Sequence, residues 1–254
     1  WERAVFAAAR SAIPTIKCVG YQHAVLFRMQ HAIRRNLANK YNPDHILTAG
    51  SISKMQLEQA PDLEGIPISV FGSNRTFKGG LSLASSVPVQ KSASDSEMST
   101  CLVLPEGAAS ECNILFEFSL ACARACPEIT FVWRLHPLVN FSTLLAQNKK
   151  FRNLPGNIML SQVTLEEDIA RSHWAFYRGT TAIVQSVVAG LRPIYLQRPG
   201  ELTIDPLYEL NDWRVSVASV SEFQLAILPD IEIRQFTPEL DIEHARRYCE
   251  ALFT

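Results

Sequence analysis

Three short segments of the chain carry side chains suited to holding an anion. They are Arg134-Leu135-His136-Pro137 at the end of TFVWRLHP, Arg178-Gly179-Thr180-Thr181, and Pro105-Glu106-Gly107-Ala108-Ala109-Ser110. Two guanidinium groups, an imidazole and two hydroxyls on one rim would make a cradle for a diphosphate or a phosphodiester. Pro137 disfavours helical backbone at His136, so the imidazole is expected at the rim rather than turned inward. The small residues around Gly107 let backbone approach a ligand closely. Glu106 and Glu111 could touch a base or ribose, although a carboxylate at a helix start needs no ligand to explain it. A solvated arginine and a structural histidine are the plainer readings of the same residues. His31, His45, His173 and His244 have no ligand-like spacing and read as structural, and Trp133 and Trp174 sit inside strand runs as core. No Walker pattern, G-x-G-x-x-G or D-x-D motif occurs, which leaves a P-loop ATPase, a dinucleotide dehydrogenase and a metal-held donor without support.

The element that must position the second segment runs from His173 to Leu196. Trp174 to Tyr177 is an apolar strand that stops at Arg178-Gly179. Thr180 or Thr181 can cap the following helix through its hydroxyl. Ile183, Val184, Val187 and Val188 would be buried, Gly190 ends the helix, and Pro193 to Leu196 is a second strand. Strand, turn, helix and parallel strand make a βαβ unit. The same alternation holds from Cys101 onward: strands at Cys101–Leu104, Ile129–Leu135, Asn157–Leu160 and Val215–Ala218, and helices at Glu111–Cys126, Phe141–Gln147, Leu165–Ser172 and Ser221–Leu228. A last helix, Ile242–Phe253, closes the chain. The spacing predicts a doubly wound parallel sheet, in which ligands bind beyond the carboxyl ends of the strands.

The first ninety residues read as the tail of another α/β domain. Helix is expected over Glu2–Ala12, a buried strand over Thr15–Val19, and strands over His45–Ala49 and Ile66–Phe71 around a short helix, Ser53–Gln59. The apolar spacing of Val25, Leu26, Met29, Ile33 and Leu37 predicts a helix over 24–40, with Arg28, Arg34, Arg35 and Lys40 giving it a basic character. A solvated face is the plainer reading; a face resting on anionic lipid or holding an anionic acceptor is the sharper one. The serine-rich stretch SSVPVQKSASDSEMST is the expected linker, dividing a partial first domain (1–92) from a second (93–254). The chain opens at Trp1, inside a helical pattern, and is expected to be cut from something longer.

Composition narrows the class. The chain has 254 residues, 47% of them apolar, and a net charge of −1, so no whole-protein field favours nucleic acid. No run of eighteen apolar residues and no signal peptide is seen, and a cytoplasmic protein, at most peripheral at the inner face of the membrane, is expected. The six cysteines form no C-x-x-C pair, and buried free thiols are expected.

Together the segments resemble the donor-binding half of a GT-B glycosyltransferase. The likeness is to bacterial surface-polysaccharide enzymes that use cytidine nucleotides: CMP-Kdo and CMP-sialic acid transferases and CDP-glycerol glycerophosphotransferases of capsule and lipopolysaccharide synthesis. The resemblance implies that His136-Pro137 and Thr180-Thr181 contact the donor phosphate, with Arg134, Arg178, Gly179, Glu106 and Gly107 around them. It also places Glu201 and Asp205 near the ribose and has the C-terminal helix cross back to the first domain. GYQHAV resembles a G-x-Q-H-G turn at the acceptor side, with Ala24 in place of glycine, and this makes His23 the candidate general base, with a carboxylate in an expected N-terminal part as the alternative. The implied reaction moves a sugar from a nucleotide-sugar donor, a substrate rather than a cofactor, to a glycan or lipid-linked glycan. It needs no metal. A non-catalytic nucleotide- or glycan-binding domain, and a GT-B-fold epimerase or pyruvyl transferase, are the alternatives.

Overall fold

The computed structural model describes residues 2–73, 99–210, 213–228 and 238–254. Most of the expected linker, and the expected boundary at 92, lie outside the described residues. The chain forms two compact units, and the last seven residues, Tyr248–Thr254, belong with the first.

The first unit holds helix α1 (Glu2–Ala12), strand β1 (Val19–Gln22), β2 (His45–Thr48), helix α2 (Ser51–Glu58), a 3-10 turn (Pro61–Leu63) and β3 (Ile68–Val70). Its sheet is parallel, in the order β1-β2-β3. Ile46 buries one sheet face with Leu26, Leu57, Ala60 and Leu63. Gly50 precedes α2 and is buried against the chain's C-terminal end. A methyl there would stand 2.6 Å from the Phe253 nitrogen and equally close to the Leu252 carbonyl carbon.

Two expectations fail in this unit. The strand expected at Thr15–Val19 runs instead over Val19–Gln22. The Cys18 N–H donates to Asp44 Oδ2 at 2.7 Å and the Asp44 N–H to the Cys18 carbonyl at 2.7 Å. That pair starts the ladder at Val19↔His45, leaving Thr15 and Lys17 exposed. The basic helix expected over 24–40 does not form, and neither does the basic helical face meant to rest on lipid. Its apolar residues do not share a side: Leu26 is core, while Met29 and Leu37 are exposed. Guanidinium groups take the carbonyls that a helix would pair internally. Arg34 donates to the carbonyls of Phe27 and Gln30 at 3.0 and 2.9 Å. Arg3 reaches those of Ile33 and Arg35, and Arg10 those of Asn39, Lys40 and Asn42. The Asn42 amide pairs with both the N–H and the carbonyl of Leu37. Among the described residues no helix is long and apolar enough to cross a membrane.

The second unit contains β4 (Ser99–Leu104), α3 (Ala109–Ala125), β5 (Ile129–Trp133), α4 (Phe141–Gln147), β6 (Ile158–Leu160), α5 (Leu165–Ala170), β7 (Trp174–Tyr177), α6 (Ala182–Val188), β8 (Arg192–Leu196), β9 (Val215–Val217) and α7 (Val220–Ile227). Helix α8 (Pro238–Ala251) runs from this unit into the first. All six strands are parallel, in the order β6-β5-β4-β7-β8-β9. Counted within the unit this is 3-2-1-4-5-6, the doubly wound order whose direction reverses between its first and fourth strands, here β4 and β7. The central strands are apolar on both sides because helices cover both faces. Trp133 is core, stacked on Phe116 at 4.4 Å with its indole N–H on the Ser119 hydroxyl.

The βαβ unit around β7 forms as its residues dictate. Helix α6 ends in a Schellman motif: Gly190 (φ +94°) donates to the Val187 carbonyl at 2.9 Å, and Leu191 to that of Ser186 at 3.0 Å. Leu191 is then buried, and β8 starts at the next residue.

Candidate functional site

Strands β4 and β7 are neighbours, with Leu104 in register with Tyr177. The loops leaving them, Pro105–Ala108 and Arg178–Thr181, therefore sit side by side where the sheet reverses its winding. In doubly wound sheets this crevice takes the ligand. The turn after β7 needs glycine: Gly179 has φ +70°, a conformation in which other L-residues are strained. A methyl there would also stand 2.7 Å from Ile204 Cδ1 and 3.5 Å from Glu106 Oε2, so the Glu106 carboxylate lies against this turn. Gly107 is the seat of His136. A methyl on it would come within 3.0 Å of the imidazole Cε1 and Nδ1. The Leu138 N–H donates to His136 Nδ1 at 3.3 Å, which leaves Nε2 as the ring's outward nitrogen. Glu106, Gly107, His136 and Gly179 thus form one cluster on the carboxyl rim. Helix α3 starts beside it with Ala108 at the N-cap and no side-chain cap, so its first-turn N–H groups gain nothing from a capping hydroxyl.

Thr180 is buried and its hydroxyl accepts from the Ala182 N–H at 3.3 Å, which starts α6. Thr181 is half-buried and contributes the N-cap backbone, without a side-chain cap. Pro137 is exposed beyond His136.

The two arginines expected to bind phosphate are engaged elsewhere. Arg178, only 4% exposed, donates from Nε to Glu111 at 2.6 Å and from Nη2 to Glu201 at 2.6 Å. Burial alone would weaken its charge, but Glu111 and Glu201 outweigh burial and hold it cationic. Arg134 turns away to the buried Asp168 at 2.7 Å, to the Val163 carbonyl and to Ser161. It pins the end of β5 to α5, while Arg171, at the end of α5 itself, holds the other oxygen of the same carboxylate. Arg134 and Arg178 therefore brace loops, which leaves the His136 imidazole and the start of α3 as the groups on this rim suited to an anion.

Glu201 is thus an ion-pair partner of Arg178, and Asp205 is fully buried. Asp205 accepts from the Tyr177 hydroxyl at 2.7 Å and the Leu207 N–H at 2.8 Å, and pairs with Arg214. It anchors the loop after β8 and presents nothing to a ribose.

Glu106 stands out electrostatically. Burial, then the neighbouring Glu111, push its carboxyl above the ordinary glutamate range, while His136 and Arg178 pull it back. A carboxyl shifted toward neutrality at the mouth of a crevice is suited to proton transfer. Sequence reasoning gave it only a contact role. The signal that sets it apart is Glu111, five residues on in the first turn of α3 and held by Arg178.

His23 lies in the first unit, exposed after β1, with its ring 6.2 Å from that of Tyr21. All six cysteines are buried free thiols. Burial pushes the Cys112 thiol up to about 11. Among the described residues no group of three or more histidine, cysteine or acidic side chains could hold a metal ion.

Fold and site together describe a mixed α/β protein built on two parallel sheets, with Glu106, Gly107, His136 and Gly179 gathered at the switch point of the larger one. No protein-family model matches the sequence, and no curated protein matches it. Solved structures do. The glycotransferase of kitacinnamycin superposes with a TM-score of 0.51 at 12% identity, over 98% of this chain and 58% of its own. A chain of the GtfA/B complex gives 0.51 at 16% identity, over 97% of this chain and 51% of its own. The chain therefore spans little more than half the length of these neighbours. At such identities the likeness concerns the fold, which is of the GT-B type.

Proposed function

We propose that this chain is the nucleotide-sugar-binding part of a GT-B glycosyltransferase. The supporting observation is the convergence of Glu106, Gly107, His136 and Gly179 at the switch point, beside the uncapped start of α3. In this reading the donor's phosphate sits over the α3 N-terminus with His136 as its side-chain partner. Charge that develops on the departing phosphate is met by the imidazole and the helix N–H groups. Glu106, its carboxyl raised by burial, lies against the turn, and Arg178 and Thr180 hold the turn in shape. His23 remains the group assigned to the acceptor side by resemblance.

The donor in this reading is cytidine-linked, a CMP-sugar such as CMP-Kdo or CMP-sialic acid, and the acceptor a bacterial surface glycan. The support is the His136-Pro137 and Thr180-Thr181 resemblance alone. A thermal-shift panel of CMP, CDP, UMP, UDP and GDP tests it. A ligand at a hundred times its dissociation constant adds about 2.7 kcal/mol of stability. Cytidine nucleotides should give the largest shift; a guanosine preference would remove the cytidine assignment, and no shift with any nucleotide would remove the donor site. A non-catalytic nucleotide-binding domain is the second reading, favoured by the engagement of Arg134 and Arg178 in ion pairs with Asp168, Glu111 and Glu201. Nucleotide binding without transfer in any longer form of the protein would select it.

A further inference from the structure

At the carboxyl rim of the first unit's sheet, three ring side chains lie together. Tyr21 on β1 and Phe71, the residue after β3, meet edge to face with ring centroids 5.8 Å apart. His23 stands on the other side of Tyr21. The phenol hydroxyl donates to the Gly72 carbonyl at 2.7 Å, tying the end of β1 to the turn that leaves β3, across the width of the sheet. The rings are held in place, yet they are not buried: Tyr21 is 43% and Phe71 72% exposed. Ordering two aromatic side chains at a surface without burying them needs a reason, since large exposed apolar groups gain nothing from water.

The pattern of the sheet says what kind of ligand fits. Tyr21 is in register with Leu47, and Leu47 with Ser69, so this is the face opposite the Ile46 core. The same face carries polar groups: His45 Nε2 and the Ser69 hydroxyl are 3.0 Å apart, and His23 and the Tyr21 hydroxyl border the rings. An acyl chain wants an unbroken apolar trough, and here the apolar surface is interrupted every few ångströms. A pyranose ring matches instead. It has one flat face of polarised C–H groups, which the electron-rich face of an aromatic ring attracts, and hydroxyls around its edge for imidazole and phenol to meet.

We propose that Phe71, Tyr21 and His23 form a pyranose-binding platform, and that it receives the acceptor sugar. The assignment to the acceptor rests on the glycosyltransferase reading above; the platform itself rests on the geometry of the first unit.

Saturation-transfer NMR on the 254-residue chain tests it, with methyl β-glucopyranoside, methyl β-galactopyranoside and methyl β-N-acetylglucosaminide at millimolar concentration. At least one glycoside should receive saturation, strongest on the protons of one ring face. Phe71→Ala should weaken its binding about fivefold, Phe71→Leu should not restore it, and Phe71→Trp should. The thermal shift produced by CDP should be the same in all three variants, because the second unit is untouched. Three results overturn the platform: no transfer to any of the glycosides, unchanged binding in Phe71→Ala, or saturation of the alkyl chain but not the ring of octyl glucoside. If glycosides bind as described while no nucleotide shifts the melting point, the platform stands and the donor-site reading falls.

Discussion

Gly107→Ala tests the donor crevice by displacing the His136 imidazole rather than removing it. Its φ lies outside the left-handed region, so alanine is tolerated by the backbone. The new methyl would stand 3.0 Å from Cε1 and Nδ1 of His136 and 3.3 Å from Nε2. Carbon atoms in contact prefer about 3.5–4.0 Å, so the ring must retreat by roughly half an ångström. The bond from the Leu138 N–H to Nδ1 is already 3.3 Å long, and such a retreat ends it. Losing that bond costs about 0.5–1.5 kcal/mol of imidazole orientation, which is a two- to tenfold loss of nucleotide affinity. His136→Ala removes the charge-assisted contact itself, about 1.5–3 kcal/mol, or ten- to a hundredfold. Titration calorimetry with the nucleotide that leads the thermal-shift panel would measure both. The double variant should bind like His136→Ala alone, because the methyl then has nothing to push. Additive losses in the double variant, or full affinity in Gly107→Ala beside a strong loss in His136→Ala, would refute the placement of the imidazole.

Three other outcomes follow from the contacts. Arg178→Ala leaves Glu111 and Glu201 without their shared cation and should lower stability in urea by about 2–3 kcal/mol, the loss for a buried pair discounted for the exposure of Glu201; an unmoved midpoint would show the clamp to be idle. Because the Glu106 carboxyl is raised, its protonated form is favoured in the folded state; that contribution is complete below the ordinary glutamate value and is lost as pH rises through the raised one. Glu106→Gln should therefore gain in melting point on the wild type as pH rises from the ordinary glutamate value through the raised one, and a difference independent of pH would contradict the cause assigned. Gly50→Ala must displace the backbone of Leu252 and Phe253, whose side chains are buried, so a cost of about 3 kcal/mol and faster trimming by carboxypeptidase are expected; wild-type resistance would show that the end is not seated there.

The second unit was legible because its signals are local. Gly179, Thr180 and Gly190 mark the ends of β7 and α6, and the apolar residues between them keep one period. The placement of Arg134 and Arg178 was not legible. Their partners lie 34 and 67 residues away along the chain, and nothing in the sequence separates a free cation from one claimed by a distant carboxylate. Region 24–40 misled for a related reason. Val25, Leu26, Met29, Ile33 and Leu37 recur at helical intervals, but the main chain there finds its partners in Arg3, Arg10 and Asn42. Asn36, Asn39 and Asn42 were the available warning, since asparagine competes for backbone in this way.

That segment is shaped from outside itself. The anchors grip peptide carbonyls, which every residue type possesses, so the outward side chains of Arg28, His31 and Arg35 take little part in keeping its path. Substitutions could accumulate there, altering charge or bulk, while the contour persists as long as Arg3, Arg10, Arg34 and Asn42 persist. Such a surface offers variety on a fixed frame, and two of its four fasteners sit in α1, where a scan of the segment alone would never find them.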